Sequence, residues 1–188
     1  EAMVEVDHLR VQYVRPSKGE IPRDEHFDHH HGYVIKVMFW GAITIFGTGC
    51  LVPVDGTMNA QKYIDILETH LIPLADTLFG TTPWKLLQDG ARCHTAATTK
   101  VYMEQQGIQC VDWCSYSPDM NPIENVWSVF KRKLYHQGSG NSRQQVIERA
   151  QQIWHNDIEL RDVARNCVLS MQSRVSTLKN NKGGHTHS

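Results

Sequence analysis

Apolar and polar residues alternate near the start of the chain, on both sides of Asp7-His8. A period of two is typical of half-buried strands, so residues 3–15 are predicted to form a hairpin of two strands joined by a short turn. Residues 16–33 are rich in proline, glycine and charge, which favours a long loop. Residues 36–44 (KVMFWGAIT) are predicted to form a buried strand, with residues 45–55 as a second hairpin arm.

Helical spacing replaces this alternation after residue 56. Apolar residues recur every three or four positions from Tyr63 to Ile72, which predicts a helix opened by residues 57–60. Residues 85–88 and 108–113 are predicted to be short strands. Between them, residues 96–106 favour a helix that Gly107 ends.

The last third of the chain is predicted to be mostly helical. A loop at residues 117–122 leads into a helix from about Pro122 to Tyr135, and residues 142–178 follow it. Residues 179–188 form a polar tail. A run of antiparallel strands followed by alternating helices and strands predicts an α/β class, a mixed sheet covered by helices on both faces. The ribonuclease H-like fold has this order.

Composition narrows the function classes without selecting one. The chain has 188 residues, 40% hydrophobic and 21% charged, which suits one soluble globular domain with a sizeable core. The formal net charge of −1 argues against a stand-alone DNA-binding module, although not against a nuclease core that receives DNA from another domain. Five cysteines without a zinc-type pair favour reduced thiols in an intracellular compartment. The run His29 to His31 is interpreted as a solvated loop in preference to a metal site.

Two acids occupy positions that suit catalysis. Asp89 ends a predicted strand, and ligand sites in α/β sheets lie at the carboxyl ends of strands. The pair Asp89-Gly90 is equally typical of a simple turn. Glu124 falls in the first turn of the helix that Asn121 caps and Pro122 opens. A glutamate there also supports its own helix as part of a capping box, and the two roles are compatible.

The residues around both acids resemble one family. The string SPDMNPIENVW (residues 117–127) closely resembles the SPDLNPIENLW signature of Tc/mariner transposases, and QDGARCHT (residues 88–95) resembles their Q-D-N-A-P-x-H-T block. Gly90 and Arg92 depart from the usual residues, while Asp89 and His94 stay in register. Thirty-four residues separate Asp89 from Glu124, as in the Tc branch that ends in glutamate. Residues 37–43 and 182–186 match as well, so the resemblance covers essentially the whole chain.

The resemblance implies a DDE catalytic domain over residues 1–188. Such a domain cleaves transposon ends and joins them to target DNA, with water and then a DNA 3′-hydroxyl as nucleophile. Three acids of the family hold two Mg²⁺ or Mn²⁺ ions, which suit in-line phosphoryl transfer. Asp89 and Glu124 would be the catalytic, metal-binding second and third acids. The family also implies helix-turn-helix domains that precede this region, a dimer or higher oligomer on DNA and, in a eukaryote, a nuclear location.

The first aspartate of the family is not found where it is expected. Tyr13-Val14-Arg15 matches the block that follows it, and counting back places the aspartate immediately before Glu1. Asp24, in a D-E-x-F match, is rejected because it follows that block, and Asp7 is interpreted as a turn residue. Glu1 is a poor substitute, because neighbouring strand residues point to opposite faces. The chain alone is therefore expected to be catalytically impaired.

Several further residues have two interpretations. His94 either orients a phosphate or water near the metals or packs beneath the site. Asn125 is a candidate supporting residue, whereas Asn121 is expected to be a cap. The basic run Lys131, Arg132 and Lys133 either forms a solvated face or contacts DNA phosphates.

Two other functions compete with transposition. One is a decayed or domesticated relic that binds DNA or protein, and the residue encoded before Glu1 would discriminate it. The other is a different polynucleotidyl transferase on the same fold. The Asp89–Glu124 spacing argues against that second alternative.

Overall fold

The structure is a computed structural model that describes residues 2–6, 12–13, 27–28, 35–111, 121–136 and 142–171. The strands are β1 (Ala2–Val6), β2 (Gln12–Tyr13), β3 (Phe27–Asp28), β4 (Ile35–Thr44) and β5 (Gly47–Val54). The helices are α1 (Ala60–Ile66), α2 (Ile72–Phe79), α3 (Arg92–Thr95), α4 (Ala97–Gln105), α5 (Pro122–His136), α6 (Arg143–Asn156) and α7 (Ile158–Leu169). One π-helical turn, Leu67–Leu71, joins α1 to α2.

The main sheet is antiparallel, with the order β1-β4-β5. The predicted hairpin of β4 and β5 is confirmed, since Met38 lies opposite Val54 and Thr44 opposite Gly47. The predicted hairpin over residues 3–15 is wrong: β1 pairs with β4, and β2 pairs with β3 in a separate two-stranded sheet. Alternation predicted that both segments are strands, but it carries no information about which strand each one pairs with.

Helices cover both faces of this sheet, as predicted. Val37 and Phe39 point into one hydrophobic cluster with α5, α6 and α7, here called the α5-side core. Trp40 points into the other cluster, which includes residues of α1 and α4 and is here called the α1-side core. The two faces alternate along β4 because successive strand residues point to opposite sides of the sheet.

The α5-side core is built from large aromatic rings. Trp127 and Trp154 lie with ring centroids 4.8 Å apart, and Phe130 meets Trp154 edge to face at 5.4 Å. The indole N–H of Trp154 donates to the Gly49 carbonyl at 3.0 Å, which ties α6 to β5. Fully burying one such side chain contributes on the order of 1.5–3 kcal/mol, so α5 is firmly anchored.

The remaining helix boundaries agree well with the sequence. Asn59 caps α1, its side chain accepting from the Lys62 N–H at 2.9 Å. Gly107, with φ +67°, follows the end of α4 as predicted. Helices α6 and α7 fall within the predicted helical region. None of the described helices is long and apolar enough to cross a membrane.

Candidate active site

Asp89 follows a short extended segment in the described part of the chain. Leu86 pairs with Cys110 in a parallel bridge, in which the Leu86 N–H donates to the Gln109 carbonyl at 2.8 Å. The predicted strands at 85–88 and 108–111 are thus reduced to this bridge, and residues 86–88 are half-buried instead of buried. Residues 112–113 lie outside the described residues. Asp89 nonetheless comes directly after the extended segment, as its sequence position predicts.

The Asp89 carboxylate is held by two hydrogen bonds to the same oxygen. Its Oδ1 accepts from the Ala91 N–H at 3.0 Å and lies 2.7 Å from Nδ1 of His94. Partial burial raises the pKa of Asp89, but the Ala91 N–H and the neighbouring His94 outweigh it and lower that pKa below its ordinary value. The carboxylate is therefore ionised at neutral pH and able to accept a cation.

Glu124 lies in the first turn of α5, as predicted. The Glu124 N–H donates to the Asn121 carbonyl at 3.1 Å, and Asn121 Oδ1 accepts a long bond of 3.4 Å from the Ile123 N–H. These bonds give Asn121 the capping role that the sequence predicted. The Glu124 side chain is exposed, whereas Val126 and Phe130, which point away from it, are buried. The helix thus presents its glutamate to solvent while its apolar face is fixed in the core.

A single cavity of about 750 Å³ brings the two acidic segments together. Asp89 and His94 line it, and so do residues 121–123, which immediately precede Glu124. The cavity also reaches β4 at Trp40 and Gly41. Two segments more than thirty residues apart in sequence therefore border one space beside the sheet.

Tyr63 and Gln88 belong to this site although no motif singled out Tyr63. The Tyr63 ring packs against the His94 ring with centroids 4.2 Å apart, and its hydroxyl donates to the Gln88 side chain. In sequence Tyr63 is one of several apolar positions on a helix. Its place in the site follows from the packing of α1 against α3, which no local pattern reports.

The three basic residues 131–133 of α5 differ in their exposure and in their ion pairs. Lys133 is only 18% exposed and forms ion pairs with Asp157 at 3.0 Å and Glu159 at 2.6 Å. Hydrogen bonds to Glu159 and Asp157 raise the pKa of Lys133. Lys131 is half-buried, Arg132 is exposed and so is Asn125. Lys133 thus joins α5 to the start of α7, a role the sequence did not predict.

Some predicted residues cannot be placed. Asp7, Asp24, the histidine run at 29–31 and residues 117–120 of the signature lie outside the described residues. Within the described ranges, no group of three histidine, cysteine, aspartate or glutamate side chains could hold a metal ion. Asp89 lines the cavity, and Glu124 directly follows the lining residues 121–123. Trp40 and Trp127 are both buried.

Comparison with known proteins agrees with this arrangement. The family model described as "DDE superfamily endonuclease" matches residues 1–147. The Tcb1 transposable element transposase of Caenorhabditis briggsae is 33% identical over 113 residues, covering 60% of this chain and 41% of the relative. The Tc3 transposase of Caenorhabditis elegans is 28% identical over 152 residues, 78% of this chain and 44% of the relative. The chain spans less than half the length of these curated relatives.

Solved structures give the same fold. The Mos1 transposase catalytic domain, solved with Raltegravir and Mg, superposes with a TM-score of 0.69 at 16% identity, over 81% of this chain and 78% of that one. The mariner Mos1 paired end complex with Mg gives a TM-score of 0.71 at 15% identity, over 98% of this chain and 55% of that one. These likenesses confirm the predicted ribonuclease H-like fold. With the match over residues 1–147, the chain belongs to the DDE superfamily endonuclease family, and its relatives are Tc-type transposases.

Proposed function

We propose that this chain is the catalytic domain of a cut-and-paste DNA transposase that cleaves transposon ends and joins them to target DNA. The observation that carries this proposal is the single cavity bordered by Asp89 and by the three residues that lead into Glu124. Water is the nucleophile for cleavage, and a DNA 3′-hydroxyl is the nucleophile for joining. In a eukaryotic host, the activity would take place in the nucleus.

The donor set fits hard divalent cations. Asp89 is ionised, its side chain is 56% exposed, and the hydrogen bonds to Oδ1 leave Oδ2 for a ligand. Glu124 offers a second exposed carboxylate, and oxygen donors of this kind suit Mg²⁺ or Mn²⁺. Two bound ions would activate the nucleophile and stabilise the leaving oxygen. The chain's own contribution is to fix the Asp89 carboxylate at the cavity and to carry Glu124 on the first turn of α5, next to the cavity-lining residues 121–123.

The register of the sheet indicates where an aspartate directly before Glu1 would lie. Ala2 lies opposite Phe39 and Met3 opposite Met38, so continued pairing would set the residue before Glu1 opposite Gly41. Ala2 and Val4 point into the α5-side core, and a residue two positions before Ala2 would share that face. Gly41 has no side chain, and a Cβ there would lie 2.6 Å from Trp127, one helical turn beyond Glu124. An aspartate at this position would therefore point toward the helix that carries Glu124.

DNA and a second subunit are the proposed partners. Mos1 has been solved in a paired end complex with its left transposon end and in a strand transfer complex. Because the first of these complexes pairs transposon ends, we propose that this chain acts as a dimer or higher oligomer on DNA. Because the net charge of this chain is −1, we expect most of the DNA affinity to come from other regions of the full protein.

Metal-dependent nicking tests the proposed chemistry. The 188-residue chain and a version extended by the upstream residues of its gene are incubated with supercoiled plasmid and Mg²⁺ or Mn²⁺. If aspartate precedes Glu1, the extended protein should nick at least about a hundredfold faster, as expected when a group that stabilises the transition state is restored. Asp89→Asn or Glu124→Gln should each remove a similar factor.

Asp162→Asn is the matched control, since it neutralises an exposed acid on α7 away from the cavity. Nicking by the extended protein that survives both Asp89→Asn and Glu124→Gln would contradict the proposed site. Robust nicking by the 188-residue chain that vanishes on Asp24→Ala would instead overturn the register of the first acid.

A further inference from the structure

His94 lines the cavity together with Asp89, but its side chain is almost fully buried behind the carboxylate. The His94 side chain is only 6% exposed, and its Nδ1 lies 2.7 Å from Asp89 Oδ1. One face of its ring packs on Tyr63, whose own ring is buried in the α1-side core. A side chain so enclosed is poorly placed to bind a DNA phosphate.

The bond has a defined direction. An ionised carboxylate only accepts hydrogen bonds, so the proton of the His94–Asp89 contact lies on Nδ1. The Ala91 N–H donates to the same oxygen at 3.0 Å. Both bonds fix Oδ1, and the carboxylate can then rotate only by breaking them. The second oxygen, Oδ2, is presented in one orientation.

Tyr63 extends this support to α1. Its hydroxyl donates to the side chain of Gln88, the residue that directly precedes Asp89. His94 and Tyr63 therefore hold two consecutive residues, one through the Asp89 side chain and one through the Gln88 side chain. Among the described residues, one bridge joins the segment before Asp89 to its neighbour, so the contacts of His94 and Tyr63 add rigidity to that segment.

We propose that His94 is a positioning residue that orients Asp89 for a divalent cation by donating a hydrogen bond from Nδ1 to Oδ1. This inference rests on the proposed function, because it assumes that Asp89 binds the cation. Hydrogen bonds from residues behind a metal ligand typically change metal affinity by about 10–100-fold. His94 acts through Asp89 and does not touch the substrate.

Mn²⁺ binding, measured by electron paramagnetic resonance, tests the proposal without an activity assay. The protein is the chain extended to include the residue before Glu1. His94→Leu removes the donor at similar volume and should raise the Kd for Mn²⁺ about tenfold or more. His94→Asn keeps an N–H donor near the Nδ1 position and should stay within about threefold of the unaltered protein.

Thr99→Val is the control for lost stability. The Thr99 hydroxyl donates to the carbonyl of Cys93, the neighbour of His94, at 2.7 Å and is fully buried, but it does not contact Asp89. This variant should lower the melting temperature and leave the Kd for Mn²⁺ unchanged. Equal losses of affinity in His94→Leu and His94→Asn, or no loss in a folded His94→Leu, would overturn the proposal.

A second measurement needs no destabilised variant. Long-range ¹⁵N correlation spectra of histidine-labelled protein report which ring nitrogen carries the proton, and the His94 signals are those absent from His94→Asn. A protonated Nδ1 is expected, and an unprotonated Nδ1 would overturn the inference. Failure of the unaltered protein to bind Mn²⁺ would instead contradict the proposed function, and this inference with it. That outcome differs from a loss confined to the His94 variants.

Discussion

Different kinds of interaction position the two acids of the candidate site. Glu124 is carried by α5, whose apolar face is fully buried at Val126, Phe130 and Leu134. Asp89 follows a half-buried segment, which pairs with residue 110 in a parallel bridge, and is fixed by hydrogen bonds from Ala91 and His94. One acid is placed by a hydrophobic core, and the other is placed by a few polar contacts.

This difference predicts how each acid responds to mutation. Core packing is distributed over many contacts, so displacement of Glu124 requires a change that destabilises the whole domain. Polar contacts are few and directional, so the orientation of Asp89 can be lost while the fold persists. Substitutions on the α5 side should therefore lower global stability, whereas substitutions around Asp89 should act locally.

The largest effect is expected for Trp127→Ala. The ring is 2% exposed and packs against Trp154 and Phe130, so its removal should lower the free energy of unfolding by about 3–5 kcal/mol. Trp84→Ala, which removes a half-buried ring near the Asp89 cavity, should cost only about 1 kcal/mol. Urea denaturation of both variants measures the difference. Equal costs would contradict the distinction between the two regions.

The sequence predicted the bounds of α5 accurately, and this accuracy has a physical reason. Its cap, its apolar spacing and its length are all local properties, and they predicted the helix to within one residue at its C-terminal end, since it ends at His136. The partner of β1 and the bond between His94 and Asp89 depend on tertiary contacts. Those contacts leave no periodic signal, and so the sequence predicted the acids but not the way in which Asp89 is held.

Gly41→Ala is expected to have the second largest effect. The added Cβ would lie 2.6 Å from the ring of Trp127, which Trp154 prevents from moving freely. Such overpacking should cost about 1–3 kcal/mol in urea denaturation. It should also obstruct the position proposed for the first aspartate.

Gly107→Ala serves as the comparison, because nothing lies within 4 Å of a Cβ there and only its φ of +67° opposes the change. Its cost should be about 1 kcal/mol, and it should leave Mn²⁺ binding intact. If Gly41→Ala proved no more harmful than Gly107→Ala, the close approach of β4 to α5 would be refuted.

A smaller effect on stability is expected when the pH is lowered. Because the pKa of Asp89 is lowered in the folded protein, its charge stabilises the fold above the ordinary carboxyl pKa, and this contribution is lost as pH falls through the lowered value. The stability difference between the unaltered protein and Asp89→Asn should thus shrink as pH falls below about 4. Thermal unfolding from pH 7 to pH 3 measures it. A difference that grows on acidification would contradict the sign of this shift.

The lysines of α5 provide the smallest and most discriminating test. Lys131 lies seven residues after Glu124, about two helical turns, and so shares its face, whereas Lys133 at nine residues lies on the opposite side. The ion pairs of Lys133 with Asp157 and Glu159 agree with this geometry, and the sequence spacing alone predicts the face. Lys133→Ala should cost at most about 1 kcal/mol of stability and leave DNA affinity unchanged.

Lys131→Ala should instead lower DNA affinity and leave the stability of the fold nearly unchanged. It should weaken binding to duplex DNA and reduce the dependence of affinity on salt by about one unit of the logarithmic slope, because one phosphate contact is lost. Fluorescence anisotropy at several salt concentrations measures both variants. A loss of slope in Lys133→Ala, with none in Lys131→Ala, would mean that DNA meets α5 on the face of its ion pairs, away from Glu124. The helix would then carry its acid and its DNA contacts on opposite sides, which a site that cleaves bound DNA cannot use.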